Sequence, residues 1–440
     1  MKLTKFYIVF ILLTISCSKD DNPPTNNYSG TIQSIKTYGG TLNEAGHSVI
    51  STTDGGYAVI GHTQSTDYDI TDKTSSSYDY WLLKFNSNNE LTWTKTYGGS
   101  DDDRGKDIIQ TADGGFLITG FSRSIDGDVT ENFGSYDFWL LKTDSNGNLL
   151  WQKTYGFSGT DQAFSIIQTS DNGFLLSGTL DVSASGGEGN SRSTNRHAGG
   201  DYWVIKLDSN GEKQWSRYYG GTFTDTLYDV IETQNNNFLL VGSSDSDDVD
   251  ISNNRGSYDF WVVKINNQGE LLWEKNYGGS EIDEAFAITK TPQNNFIITG
   301  NTRSNNQQVS SNHGSSDIWA IEINTDGDLI WQKTYGGTSF DVSKGIIPAQ
   351  DGGFFIVGNS RSSDKNLTNN NGNNDIWVLK IATNGKLEWQ KSIGGSEIDT
   401  ANGIVQLNNQ EIIVVGESWS SNYDIETNKG FSDLVVVNIK

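Results

Sequence analysis

The chain has 440 residues and carries 55 Asp and Glu against 31 Lys and Arg, a formal charge of -24. A surface of that sign repels phosphate backbones and anionic lipid, so nucleic acid is excluded as a partner. One Cys rules out a disulfide framework, while 49 Gly, 4 Pro and 13 Trp point to many tight turns around an aromatic core.

At the N-terminus, Lys2 and Lys5 lead into an unbroken apolar run over residues 6–13, followed by Thr14, Ile15, Ser16 and Cys17. That run is too short to span a bilayer and has the layout of a secretion signal. The chain's single Cys follows a small residue at the end of the run, so the segment resembles a bacterial lipobox, with Thr14 departing from the usual Leu. The resemblance implies a signal peptide over 1–16 and acylation of Cys17, with a lipid anchor as the only membrane attachment. Ser18, Lys19, Asp20 and Asp21 are similar to the export signal of Bacteroidota lipoproteins carried to the outer leaflet of the outer membrane. With Pro23, Pro24 and several Asn, residues 17–30 form a flexible tether.

From residue 31 the chain repeats itself. Asp-x-Trp recurs at Asp79/Trp81, Asp137/Trp139, Asp201/Trp203, Asp259/Trp261, Asp317/Trp319 and Asp375/Trp377, with Asp433/Val435 as a degenerate seventh copy. The spacing is 58 residues, except for 64 between the second and third copies. A second series, Trp93, Trp151, Trp215, Trp273, Trp331 and Trp389, follows twelve residues behind the first and leads into Tyr-Gly-Gly in most copies. Fixed periods of this kind indicate units that bury their faces against one another. In the second unit the pattern predicts strands A over 106–111, B over 116–121, C over 138–143 and D over 149–155. Asp113-Gly114-Gly115 and Asp144-Ser145-Asn146-Gly147 supply the hairpin turns. Strand C is apolar at successive positions, which requires burial on both faces and fits a propeller blade. Residues 31–40 match a D strand, with Ser34 where Trp is expected, and the chain ends after a C strand. The N-terminal strand is therefore expected to complete the last blade, giving an all-β, seven-bladed β-propeller over 31–440 with four antiparallel strands per blade.

The recurrent Tyr-Gly-Gly-x-x-x-Asp opening, the Asp-Gly-Gly-Phe hairpin and the Asp-x-Trp strand resemble the seven-bladed propeller repeats of secreted Bacteroidota lipoproteins. The Gly-x-x-x-Trp element is similar to the tryptophan-docking element of quinoprotein-like propellers. This resemblance covers 31–440 and implies the fold, without implying an activity.

The D-to-A and B-to-C connections are long, polar and share one face, the top, where function is expected. An acid recurs at the start of each A strand: Glu44, Asp103, Asp161, Asp225, Asp283, Asp341 and Asp399. These either ring the channel mouth as a cation or polar-ligand site, or accept hydrogen bonds from backbone N–H groups of the turns. The Asp residues of Asp-x-Trp are read as turn residues. Alternating acids in B-to-C loops, Asp67 and Asp69, Asp126 and Asp128, Asp248 and Asp250, either chelate calcium or form Asx-turns; calcium is the only cofactor the pattern admits. Trp419 is the one Trp outside both series, at the position where other blades carry Arg123, Arg303 and Arg361. With Tyr423 it offers a plate for a sugar ring or a protein partner, unless it folds down onto the blade edge. An inserted loop over 183–200 adds Arg192, Arg196 and His197. The four His occupy unrelated repeat positions without metal-ligand spacing, and no nucleophile elbow, P-loop or dinucleotide fingerprint is present.

These features lead to the expectation of a monomeric, non-catalytic surface lipoprotein that binds a glycan or protein. The alternatives are a polysaccharide-cleaving hydrolase or lyase using top-face acids, and an envelope-assembly scaffold.

Overall fold

The computed structural model describes residues 30–186, 188–189 and 197–440. The signal segment, Cys17, nearly all of the tether, and Arg192 and Arg196 lie outside them. Twenty-eight strands fall into seven four-stranded antiparallel sheets, the blades of a closed ring. Six blades use strands in chain order, A to D. The seventh pairs its A, B and C strands with the N-terminal strand Ile32–Tyr38. That strand runs antiparallel to Asp433–Ile439, from Ile32 opposite Ile439 to Tyr38 opposite Leu434. Two backbone bonds of 2.8 Å between Thr31 and Lys440 lock the ends together. The propeller expected from the repeats is the fold observed, including its closure.

In the second blade, strand B (Phe116–Ser122), C (Asp137–Thr143) and D (Leu149–Tyr155) fall where the pattern places them. Strand A (Asp103–Gln110) begins three residues earlier than expected, because Asp103 already pairs with Ser122. Every residue of Asp137–Thr143 is buried, as a strand packed between two neighbouring sheets must be. The core accordingly lies in seven layers that bridge adjacent blades, with a fully buried Asp-x-Trp indole at the centre of six of them.

The outer edge explains the Gly-x-x-x-Trp element. Trp273 on strand D of one blade lies against Gly327 in the C-to-D hairpin of the next, where an added Cβ would come within 3.0 Å of the indole. Gly327 also has φ +78°, a conformation that L side chains rarely adopt. Tyr277 then donates its hydroxyl to the Gly327 carbonyl at 2.5 Å. The same Tyr-to-Gly bond joins Tyr97 to Gly147, Tyr219 to Gly269 and Tyr335 to Gly385. Five blades thus dock an indole and a phenol on the neighbouring hairpin, while Ile393 replaces the Tyr in the sixth and Ser34 the Trp in the seventh.

Candidate functional site

The seven A strands contact one another around the axis and form the channel wall. Each carries a β-bulge at its fourth position, counted from the acid that opens it. A bulge leaves one residue out of the ladder and re-aims its side chain. Here all seven bulged residues line one axial cavity of about 240 Å³. Three adjacent blades contribute aromatic rings: Phe164 lies 5.4 Å from Tyr228, and Tyr228 4.7 Å from Phe286, centroid to centroid. The other four contribute Lys344, Asn402, His47 and Lys106, and Lys344 Nζ caps the aromatic ribbon 3.6 Å above the Phe286 ring.

Polar groups on this wall are held close together. His47 Nε2 lies 3.1 Å from His62 Nδ1 and 3.2 Å from Lys106 Nζ. Sequence spacing had kept these histidines apart; the A-to-B pairing, which sets Ala45 opposite His62, brings them together. Burial, reinforced by the Lys106 charge, holds both imidazoles well below their ordinary range. Burial also lowers Lys106 and Lys344 to about 8, and raises Glu417 beside Lys106. Neither lysine has a carboxylate within ion-pair distance among the described residues. Lower on the wall, Asp107 and Asp229 are pushed up to about 6 and 7 by burial. They brace the ring: Asp107 accepts the Ile166 N–H at 2.9 Å and the Ser48 hydroxyl at 2.8 Å, and Asp229 accepts the Ile288 N–H at 3.0 Å.

At the top mouth, the residue past the B strand donates its N–H to the neighbouring D-to-A turn in every blade but the third. Arg123 bonds Asp102, Arg303 bonds Ile282, Arg361 bonds Phe340 and Trp419 bonds Ile398. Arg303 and Arg361 both lie against the Phe340 ring, at 5.7 and 5.9 Å. Arg123 reaches Asp101 at 3.5 Å and lies over Tyr136. Trp419 is 46% exposed rather than folded onto the blade edge, and Tyr423 is 70% exposed at φ 56°.

The acids that open the A strands are not a ring at the mouth. Glu44, Asp103, Asp161, Asp225, Asp283, Asp341 and Asp399 are all fully buried. They point between blades, because the residues one and three places further on take the channel-facing positions. Asp283, for example, accepts the Gly279 N–H at 2.7 Å and the Ser304 hydroxyl at 2.8 Å. The paired loop acids likewise accept backbone N–H groups, and Asp69 also pairs with Lys429 at 3.0 Å. Asp67 and Asp69 accept the N–H groups of Thr41 and Gly39, Asp126 and Asp128 those of Ser100 and Gly98, and Asp248 that of Thr222. Asp250 lies 3.8 Å from the His197 ring. In the fifth blade Asn306 and Gln308 make the same bonds as the acids do elsewhere, to Ser280 and Gly278. An amide serves there as well as a carboxylate, so the loops need an acceptor and not a charge. Among the described residues no group of three His, Cys, Asp or Glu is placed to hold a metal ion. His197 and His313 each contact the Asp four residues ahead, Asp201 and Asp317.

Fold and channel together define a seven-bladed β-propeller with an asymmetric axial cavity. No protein-family model and no curated protein matches the chain. Solved structures do. A protein of unknown function from Bacteroides caccae is 12% identical, over 81% of this chain and 98% of that one, with a TM-score of 0.40. One from Dyadobacter fermentans is 11% identical over 93% and 98%, with a TM-score of 0.46. The Neurospora crassa Pan2 WD40 domain is 9% identical over 92% and 94%, with a TM-score of 0.49.

Proposed function

We propose that this protein is a non-catalytic binding propeller that receives part of a glycan through the top mouth of its channel. One observation carries the reading. The seven repeats agree closely along strand C, yet the bulged residue that each aims into the cavity is drawn from His, Lys, Phe, Tyr, Phe, Lys and Asn in turn. A position that the fold fills with five residue types in seven blades is where an asymmetric ligand is read. The mixture suits a sugar. Phe164, Tyr228 and Phe286 offer ring faces for stacking, while Lys106, Lys344, Asn402 and the Tyr228 hydroxyl offer hydrogen bonds to hydroxyl groups. Above them, Trp419 and the Phe340–arginine sandwich extend the surface to further residues of a chain.

A glycan array probed with the purified protein tests this. Glycans retained by the parent should bind at least tenfold more weakly to the Tyr228→Ala and Lys106→Ala variants. Retention unchanged in both variants, or cleavage of a bound glycan, overturns it.

The same reading places the propeller at the cell surface on a lipid anchor, supported by the lipobox-like segment ending in Cys17. Cys17→Ser should free the protein from the membrane fraction, and unchanged membrane association refutes the anchor.

A further inference from the structure

Each seam between neighbouring blades sets two carboxyl groups face to face: the Asp of Asp-x-Trp and the acid that opens the next A strand. Only glycine leaves room for them. A methyl group on Gly278 would stand 2.2 Å from Asp259 Oδ1 and 2.7 Å from Asp283 Oδ2. One on Gly394 would stand 2.6 Å from Asp375 Oδ1 and 2.8 Å from Asp399 Oδ2. All four acids are fully buried. Asp259 Oδ2 accepts the Arg255 N–H at 2.6 Å, and both Asp283 oxygens are hydrogen-bonded. Asp259 Oδ1 is left buried without a donor, as are Asp375 Oδ1 and Asp137 Oδ1 in their seams. A buried carboxylate oxygen facing a second carboxylate is costly unless a positive charge or a proton lies between them.

The seam between the first two blades shows the cationic solution. Lys73 Nζ stands 2.7 Å from Asp79 Oδ1, the equivalent oxygen, and that oxygen is not among the unpartnered ones. In three other seams Lys429, His197 and His313 reach Oδ2 of the equivalent Asp, and Oδ1 is left without a partner there as well. The remaining three seams have Phe133, Arg255 and Asn371 at the position of Lys429, and each gives its Asp a backbone N–H. Among the described residues no side-chain cation comes within ion-pair distance there. The other charged groups facing these seams are Glu131 and Asp181 at the first, Arg255 at the second and Asp424 at the third.

We propose that a proton stands at these three seams where Lys73 stands at its own. One carboxyl of each pair, Asp137/Asp161, Asp259/Asp283 and Asp375/Asp399, is protonated at neutral pH and donates to the other. These are three proton-binding sites, and they link closure of the ring to pH. Burial, with the neighbouring carboxylate's charge added, pushes Asp259 up to about 7. Burial raises Asp161 to about 7 and Asp137 to about 6, and it raises Asp283, Asp375 and Asp399 as well. Each pair titrates as a unit. A carboxyl raised on folding contributes stability that is complete below its unfolded value, roughly 4, and is lost as pH rises through its folded value. The loss therefore falls between about pH 4 and 7.

Melting temperatures of the parent, Asp259→Asn and Asp79→Asn between pH 5 and 8.5 test the proposal. The Asn amide can donate to Asp283 as the proton does, so Asp259→Asn should melt above the parent at pH 8 and lose Tm less steeply with pH. Asp79→Asn breaks the Lys73 pair and should melt lower throughout. Because general repulsion among 55 acids also grows with pH, the readout is the difference in slope between variant and parent. If Asp259→Asn does not fold, infrared spectra of the parent decide, with a protonated-carboxyl C=O band expected at pH 7. Asp259→Asn melting as far below the parent as Asp79→Asn at pH 8, or a parent without that band, overturns the proposal.

Discussion

Strand C and strand A belong to the same blades and repeat with the same period, yet they hold information of different kinds. Along strand C the sequence barely changes: Asp137–Thr143, Asp259–Ile265 and Asp375–Ile381 read DFWLLKT, DFWVVKI and DIWVLKI, and all but one of these residues are buried. Along strand A the opening acid and the small residue two places later persist in most blades, while the bulged residue between wall and cavity changes from blade to blade. Packing on both faces fixes the first strand. The second lines the channel, and its bulge turns one side chain per blade out of the inter-blade layers and into the cavity. A repeat protein thus separates what the ring needs from what its ligand needs without recourse to an alignment.

The sharpest break of that comparison is at the centre of a blade layer. Trp319 is fully buried between Phe260, 4.7 Å away, and the sheets on either side. Trp319→Ala should cost about 3–5 kcal/mol through the cavity it leaves, read as a lowered midpoint in urea. A bulged channel residue such as Tyr228 should be far more tolerant, because the space it would vacate is already open to the cavity. A comparable loss at both positions would remove the distinction between the strands.

The same contrast explains what was legible in the sequence. Strand C announces itself through consecutive apolar residues, and the ring through residues 31–40 matching a D strand, because both patterns follow from burial and pairing. The opening acids were recognisable as a series, but not in their direction. Whether Asp103 faces the channel or the seam depends on a bulge three residues later and on pairing that starts at Asp103 itself. The axial site was hidden for a related reason. Its members are single residues on seven strands spread from His47 to Asn402, and no local pattern joins them. The contact between His47 and His62 needs the hairpin register before it can be seen. One sign was available: the fourth residue of strand A takes five residue types in seven blades, and departures from a repeat are worth collecting position by position.

Trp419 refines the comparison at the mouth, where the smallest effect on stability is expected. It replaces Arg at a position whose backbone is fixed by the bond from its N–H to Ile398, at 2.9 Å, so the loop keeps its path whatever the side chain. With 46% of its surface exposed, the indole is no plug for the blade edge. Trp419→Ala should therefore change folding stability by only about 0.5 kcal/mol, as surface substitutions away from special features do. An exposed indole at the rim of a binding cavity is instead the side chain whose truncation is felt by the ligand, typically by about 1–3 kcal/mol for an aromatic anchor. Melting the variant and titrating it with a glycan that the parent retains separates the two quantities. A midpoint drop as large as that of Trp319→Ala would place Trp419 with the packed residues of strand C. An unchanged midpoint with weakened binding would place it with the bulged residues of strand A, one level higher on the same path into the channel.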